Sequence, residues 1–333
     1  MSKSSIAAIP VTLAMCIALT APAHADSNAD TRDFDLADVG SERGESVSEE
    51  AQAQGQPDSN APQGRPGGPS AGGPPGFKPV FDETWATVGI GAGLVPSYSG
   101  SDNYIVFPLP LIVGRVAGVG ISPNGPGFVL DVLSQAPTGA PPETTFSFGP
   151  AFRFRNDRAD NIEDPIVELA GELETAIEVG VQGGVTFPGV FRQGDRLSVN
   201  AQVRWDILGA HNGMLIEPSV GYFMPIDRGT ALQLTANAGF VDDDFADFYY
   251  TVTPQQSADT GLAEFTADGG LNSIGSLAIL TVDLDGNLLN GGFSIYGLAG
   301  YARLIGDAED TPFTSVQGSA NQFIGGLGVA YTF

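Results

Sequence analysis

Acid–base and nucleophilic catalysis draw mainly on histidine, cysteine and paired carboxylates, and this chain is poor in the first two. Its 333 residues include two histidines and one cysteine. His24 and Cys16 both fall in the first 25 residues, so His211 is the one imidazole beyond them. It lies in a short loop, 209–213, with Asp206 close in sequence. No distinctive serine motif accompanies the pair, as a nucleophile–base–orienter triad would require. The residues read as a surface-loop histidine, and the chain is expected not to be an enzyme. Asp283-Leu284-Asp285-Gly286-Asn287 has the opening of a calcium loop, but Ser294 stands where a bidentate glutamate would close it. An Asp-Gly hairpin turn accounts for the same residues. Asp242, Asp243, Asp244 and Asp247 could gather divalent cations, although a solvated acidic loop explains them better. Nothing in the residue pattern calls for a cofactor.

The stronger lead is a set of charged and amide side chains placed at alternate positions between apolar ones. Arg153 and Arg155 alternate with Phe152 and Phe154. Glu178 and Gln182 alternate with Ile177, Val179 and Val181, and Arg204 and Asp206 with Val203 and Trp205. Glu217 follows in the next segment. A period of two means strands with one apolar and one polar face. If the apolar faces meet lipid, Arg153, Arg155, Glu178, Gln182, Arg204, Asp206 and Glu217 line an interior. Isolated charges in a narrow lumen are costly, so pairing is expected. The same polar faces could instead line a pathway for small solutes.

The elements that must carry these residues can be followed back from the C-terminus. Strands are expected at 322–333, 293–304 and 276–284, and earlier alternating runs cover 232–240, 197–207, 175–187 and 146–154. Short turns at 285–287, 226–229 and 189–195 alternate with long loops at 306–321, 241–271 and 157–174. The strands are ten to thirteen residues long, near what a tilted strand needs to cross a bilayer. Short turns on one side, long loops on the other and a terminal aromatic, Phe333, describe an antiparallel up-and-down outer-membrane β-barrel. The stretch 104–133 divides into either three strands (104–115, 116–122 and 128–133) or one irregular strand. With 85–96 first, the total is twelve or ten, and twelve is preferred. Pro108 and Pro110 oppose regular ladder pairing there. Trp85, Trp205, Tyr222 and Tyr331 fall near strand ends, where membrane-interface anchors sit.

The rest of the chain reads as address and spacer. Residues 1–25 run from Lys3 through an apolar stretch to Ala23-His24-Ala25, the order of a secretory signal cleaved after Ala25. Residues 26–80 hold ten acidic and four basic residues and a run dense in Pro, Gly, Gln and Ser. Too few apolar side chains are present to offset ordering entropy, so an unstructured arm is expected. Residues 81–333 form the barrel. The net charge of −25, from 39 acidic and 14 basic residues, argues against a nucleic-acid partner.

Several segments of the barrel resemble one family. Tyr301-Ala302-Arg303-Leu304-Ile305-Gly306-Asp307-Ala308-Glu309-Asp310-Thr311-Pro312, with 321–333, is similar to the C-terminal end of the MltA-interacting protein (MipA/OmpV) family. Pro96-Ser97-Tyr98-Ser99-Gly100-Ser101 and Phe107-Pro108-Leu109-Pro110 resemble its first loop and second strand. Tyr249-Tyr250-Thr251-Val252-Thr253-Pro254 and Thr260-Gly261-Leu262 resemble its long late loop. The resemblance spans 88–333 and does not extend to the arm. It implies an outer-membrane barrel, amid lipid and lipopolysaccharide, that scaffolds a lytic transglycosylase and a peptidoglycan synthase. Other members imply adhesion, osmotic response or antibiotic entry. No catalytic residue carries over. A monomeric, non-enzymatic scaffold is therefore expected, with a solute channel or surface sensing through the long loops as alternatives.

Overall fold

A computed structural model describes residues 80–82, 84–135, 142–159 and 161–333. The expected signal sequence and nearly all of the expected arm lie outside the described residues. Twelve antiparallel strands close into one barrel in which each strand pairs with its sequence neighbours and β1 pairs with β12. They are β1 (Trp85–Pro96), β2 (Tyr104–Val116), β3 (Val119–Pro123), β4 (Gly127–Asp131), β5 (Thr145–Arg155) and β6 (Ala176–Pro188), followed by β7 (Arg196–Asp206), β8 (Met214–Pro225), β9 (Thr230–Val241), β10 (Gly270–Asp283), β11 (Gly292–Leu304) and β12 (Asn321–Thr332). The ring is sealed by reciprocal bonds: Ala86 N–H donates to the Phe333 carbonyl at 3.0 Å, and Phe333 N–H to the Ala86 carbonyl at 2.9 Å.

The outer wall follows the alternation. Ile90, Val106, Phe146 and Leu327 are 65 to 74% exposed, as a wall facing lipid requires and a water-soluble core would forbid. At the end bearing Trp85 and Phe333 the connections are mostly short. At the far end they carry five short helices: α1 (Pro165–Leu169), α2 (Asp243–Tyr250), α3 (Pro254–Thr260), α4 (Asp307–Asp310) and α5 (Pro312–Ser315). The helices in loop 242–269 were not legible as such, and β10 begins at Gly270 rather than residue 276. Asp242 starts α2 by accepting the Phe245 N–H, and Thr253 and Gln256 form a capping box at the start of α3.

The stretch 104–133 is three strands, but the divisions fall elsewhere than expected. The turn is Ala117-Gly118, both at positive φ, and the hairpin β3–β4 is only five residues on each side. The pairing of β2 with β3 covers Gly114 to Val116 alone. Pro108 and Pro110 do pair with β1 by register, opposite Ala92 and Ile90. Their missing N–H groups cost β1 nothing. The Ser97 N–H to Asn103 carbonyl bond fixes the odd-numbered positions of β2 as those bonded to β1, so the prolines face the other side.

The interior is not uniformly polar. On β2 both faces are apolar, and Leu111 and Val113 join Trp85, Leu277, Ile279 and Tyr296 in one buried cluster. Trp85 thus points inward, packed edge-on against Phe81, rather than anchoring at the interface. Trp205 and Tyr331 are exposed on the outer wall, and Tyr222 packs against Phe191. The Tyr296 ring reaches past β12 and β1 to β2, and its hydroxyl donates to the Leu109 carbonyl at 3.0 Å. A Cβ at Gly328 would lie 2.3 Å from that ring, so the glycine is what admits it.

Elsewhere strands approach with no room for a side chain. A Cβ at Gly180 would meet the Val203 carbonyl oxygen at 1.8 Å and the Arg204 Cα at 2.7 Å. Gly180→Val should therefore push β6 from β7 and lower stability by about 1–3 kcal/mol, read as a lower urea midpoint for the refolded barrel in detergent. An unchanged midpoint would show that the two strands separate freely.

Candidate functional site

Opposite the apolar sector, β5 to β8 place charged residues side by side across the ladder. Register pairs Arg153 with Glu178 and Gln182 with Gln202, and sets Gln202 against Glu217. Glu178 is the centre. Its Oε1 receives Arg155 Nε at 2.5 Å and its Oε2 receives Arg204 Nε at 3.0 Å. Arg204 also donates to Glu217, which Arg153 meets at 3.2 Å. The Glu178 and Arg204 side chains are wholly buried. Amides extend the chain: Gln202 donates to Gln182 at 2.6 Å and accepts from Asn124 at 3.0 Å.

Among these residues three guanidinium groups face two carboxylates, leaving one positive charge in excess. Aromatic rings of the far-end cap lie over it. The Arg155 guanidinium carbon is 5.0 Å from the Phe245 ring centre and 5.9 Å from that of Tyr249. Ring faces carry negative potential, so α2 stabilises the Arg155 guanidinium alongside the nearby Asp157 carboxylate. Phe245 and Tyr249 are one helical turn apart, so both fall on the face of α2 turned to the barrel.

His211 belongs to this interface and not to the surface expected of it. Its side chain is wholly buried, and its ring lies 5.0 Å from Phe245 and 5.7 Å from Tyr249. Nδ1 accepts the Gly213 N–H at 3.0 Å, which leaves Nε2 directed at Glu178, 3.6 Å away. Asp206 shares the inward register but turns to its own loop. Its carboxylate accepts backbone N–H groups of Leu208, His211 and Asn212 and thereby fixes the loop that carries the imidazole.

Most of the other acidic-motif residues are occupied with backbone, and Asp247 accepts the Thr251 hydroxyl at 2.7 Å. Asp283 accepts from the Asp285 and Asn287 N–H groups, and Asp242 spans Met214 N–H and Phe245 N–H. Asp243 accepts from Gly269. Among the described residues, no group of three or more His, Cys, Asp or Glu is arranged to hold a metal ion.

Around α2 the cap closes on a second arginine. Arg158 is 3% exposed, donates to the Tyr249 carbonyl at 3.2 Å, and lies 4.2 Å from the Phe313 ring centre. Burial lowers its pKa from the ordinary arginine value, against the pull of Asp157. Burial likewise raises the Asp157 carboxyl, against the Ser99 N–H that donates to it at 2.8 Å and the neighbouring arginines. Tyr98 donates to the Phe313 carbonyl, and Thr311 to the Tyr250 carbonyl. Four far-end loops are thus sewn into one lid over the charge cluster. The sequence signals for this lid were the aromatic spacing in 245–250 and Asp242 before it.

Comparisons with known proteins follow the same outline. The sequence profile of a family described as MltA-interacting protein MipA matches residues 88–333. No curated protein matches the chain. Among solved structures, an outer membrane channel from Pseudomonas putida F1 covers 79% of this chain and all of its own, at 13% identity and a TM-score of 0.37. The outer membrane channel DcaP of Acinetobacter baumannii covers 75% of this chain and 96% of its own, at 10% identity and a TM-score of 0.25. Likeness at that distance carries no argument about this chain.

The charge cluster makes its own prediction. Glu178→Leu leaves Arg155 and Arg204 short of a counter-charge and should destabilise the barrel by about 3–5 kcal/mol. Adding Arg204→Leu should recover part of the loss. Urea midpoints of the single and double variants check this, and strictly additive losses would mean that the pair is not coupled.

Proposed function

The chain belongs to the MltA-interacting protein MipA family and is an outer-membrane β-barrel, and on that footing we propose that it is a non-enzymatic, monomeric scaffold. Its partners would be a lytic transglycosylase and, through it, a peptidoglycan synthase on the periplasmic side. Residues 1–25 would direct export and be cleaved in the process. The observation that supports the reading is the side-chain packing and pairing inside the barrel. One sector is packed with apolar side chains, the other is bridged by arginine–glutamate pairs, and α2 and its neighbours pack over the extracellular end. A barrel built this way offers partners a rigid platform in the membrane instead of a route through it. The arm, 26–80, is long enough in sequence to extend the periplasmic contact surface.

Two measurements test it. Tagged mature protein should retain a lytic transglycosylase from a periplasmic extract, with less retained when residues 26–80 are deleted. In planar bilayers the purified barrel should pass no resolvable single-channel current. Stable conductance steps without retention of any cell-wall enzyme would replace the scaffold with a solute channel.

A further inference from the structure

The barrel wall is incomplete at one place. β2 has β1 along its whole length on one side, but β3 covers only Gly114 to Val116 on the other. From Tyr104 to Ile112, on the extracellular half, the even-numbered positions of β2 direct their backbone polar groups away from β1, and no strand pairs with them. The outward side chains here are apolar, and Val106 is 74% exposed. Behind the edge, Phe107 and Leu109 pack with Val95, Leu298 and Ile324, so the gap has an apolar floor. A cleft of about 370 Å³ occupies it, lined by Tyr104 to Pro108 below and by Asn161 and Glu163 of loop 156–175 above. That volume lies within the range of small-molecule sites.

An unpaired backbone edge cannot be left facing acyl chains, because nothing there satisfies it. The usual solution, another strand, is opposed by this sequence. Pro108 and Pro110 are the even positions at the middle of the free edge, so the edge has carbonyl acceptors there and no N–H donors. An added strand would find half its ladder missing. What fits instead is a ligand with its own donors and an apolar chain. Glu163 adds a negative charge at the mouth, and no hydrogen bond or ion pair to another described residue holds it. The surroundings have the same sign. The far-end loops, 97–103, 156–175, 207–213, 242–269 and 305–320, carry eighteen acidic residues and one arginine.

The geometry points to a binding site for one lipid-like amphiphile of the outer leaflet, with an ammonium-bearing head at Glu163 and Asn161 and an acyl chain along Val106 to Pro108. The site is independent of the scaffold reading and of any lumen. The head's donors meet the Glu163 carboxylate and the free carbonyls of the edge at the rim, and the chain lies over the outward side chains of Val106 and Pro108.

Native mass spectrometry of the full mature chain in non-ionic detergent tests this with two probes, palmitoyl lysophosphatidylethanolamine and palmitoyl lysophosphatidylglycerol. One molecule of the ethanolamine lipid should be retained per barrel, at least tenfold more tightly than the glycerol lipid. Val106→Trp, which fills the cleft, should weaken retention at least tenfold, whereas Val329→Trp, elsewhere on the outer wall, should not. Glu163→Gln, in a loop remote from the ladder, should remove the preference between heads and keeps the test open if Val106→Trp fails to assemble. No discrete retention, equal retention of both lipids by the unsubstituted chain, or a preference that survives Glu163→Gln would overturn the site.

Discussion

Inside a bilayer a strand has no water to satisfy its edges, so a sheet there must close. The reciprocal bonds between Ala86 and Phe333 meet that requirement, and much else in the molecule follows from it. Closure creates an inside, and an inside of twelve strands must be filled or left to water. Here two kinds of side chain occupy it, each on its own part of the wall. The β1, β2, β10, β11 and β12 wall contributes aromatic and aliphatic side chains, and the β5 to β8 wall contributes arginines and glutamates. The two kinds need different supports. Apolar side chains need only shape, which glycines such as Gly328 grant to Tyr296. Charges need partners, and the cross-strand register supplies most of them.

The odd arginine explains why the extracellular lid is aromatic where it touches the barrel. Phe245 and Tyr249 offer negative potential without a net charge, and they also seal the cluster from water. The lid and the cluster are therefore one structure. Asp206 holds the His211 loop, His211 packs under α2, and α2 lies over Arg155.

Much of this architecture was legible from residue order. A period of two, turns of alternating length and a terminal phenylalanine led to the closed barrel, and the arginines and glutamates of β5 to β8 stood out as inward residues. What was hidden has identifiable causes. The lid helices are short, and α2 is recognisable mainly through its Asp242 cap, which looked like part of an acidic cluster. His211 appeared to be a surface residue because nothing local to it says that a distant segment, 243–250, covers it. Trp85 looked like an interface anchor because position along a strand was legible while facing was not. On β2 the alternation fails altogether: with both faces apolar, period gives neither the inward side nor the bounds of the next hairpin.

That same doubly apolar strand has a life before the barrel exists. A chain bound for the outer membrane crosses an aqueous compartment unfolded, and Ile105 to Val113 is the kind of β-rich, uncharged segment that stacks on copies of itself. Prolines two residues apart strip donors from one edge in whatever register two copies meet, which breaks the repeating ladder an aggregate needs. Pro108 and Pro110 thus leave a gap in the finished wall and guard the unfinished chain by one and the same missing pair of hydrogens.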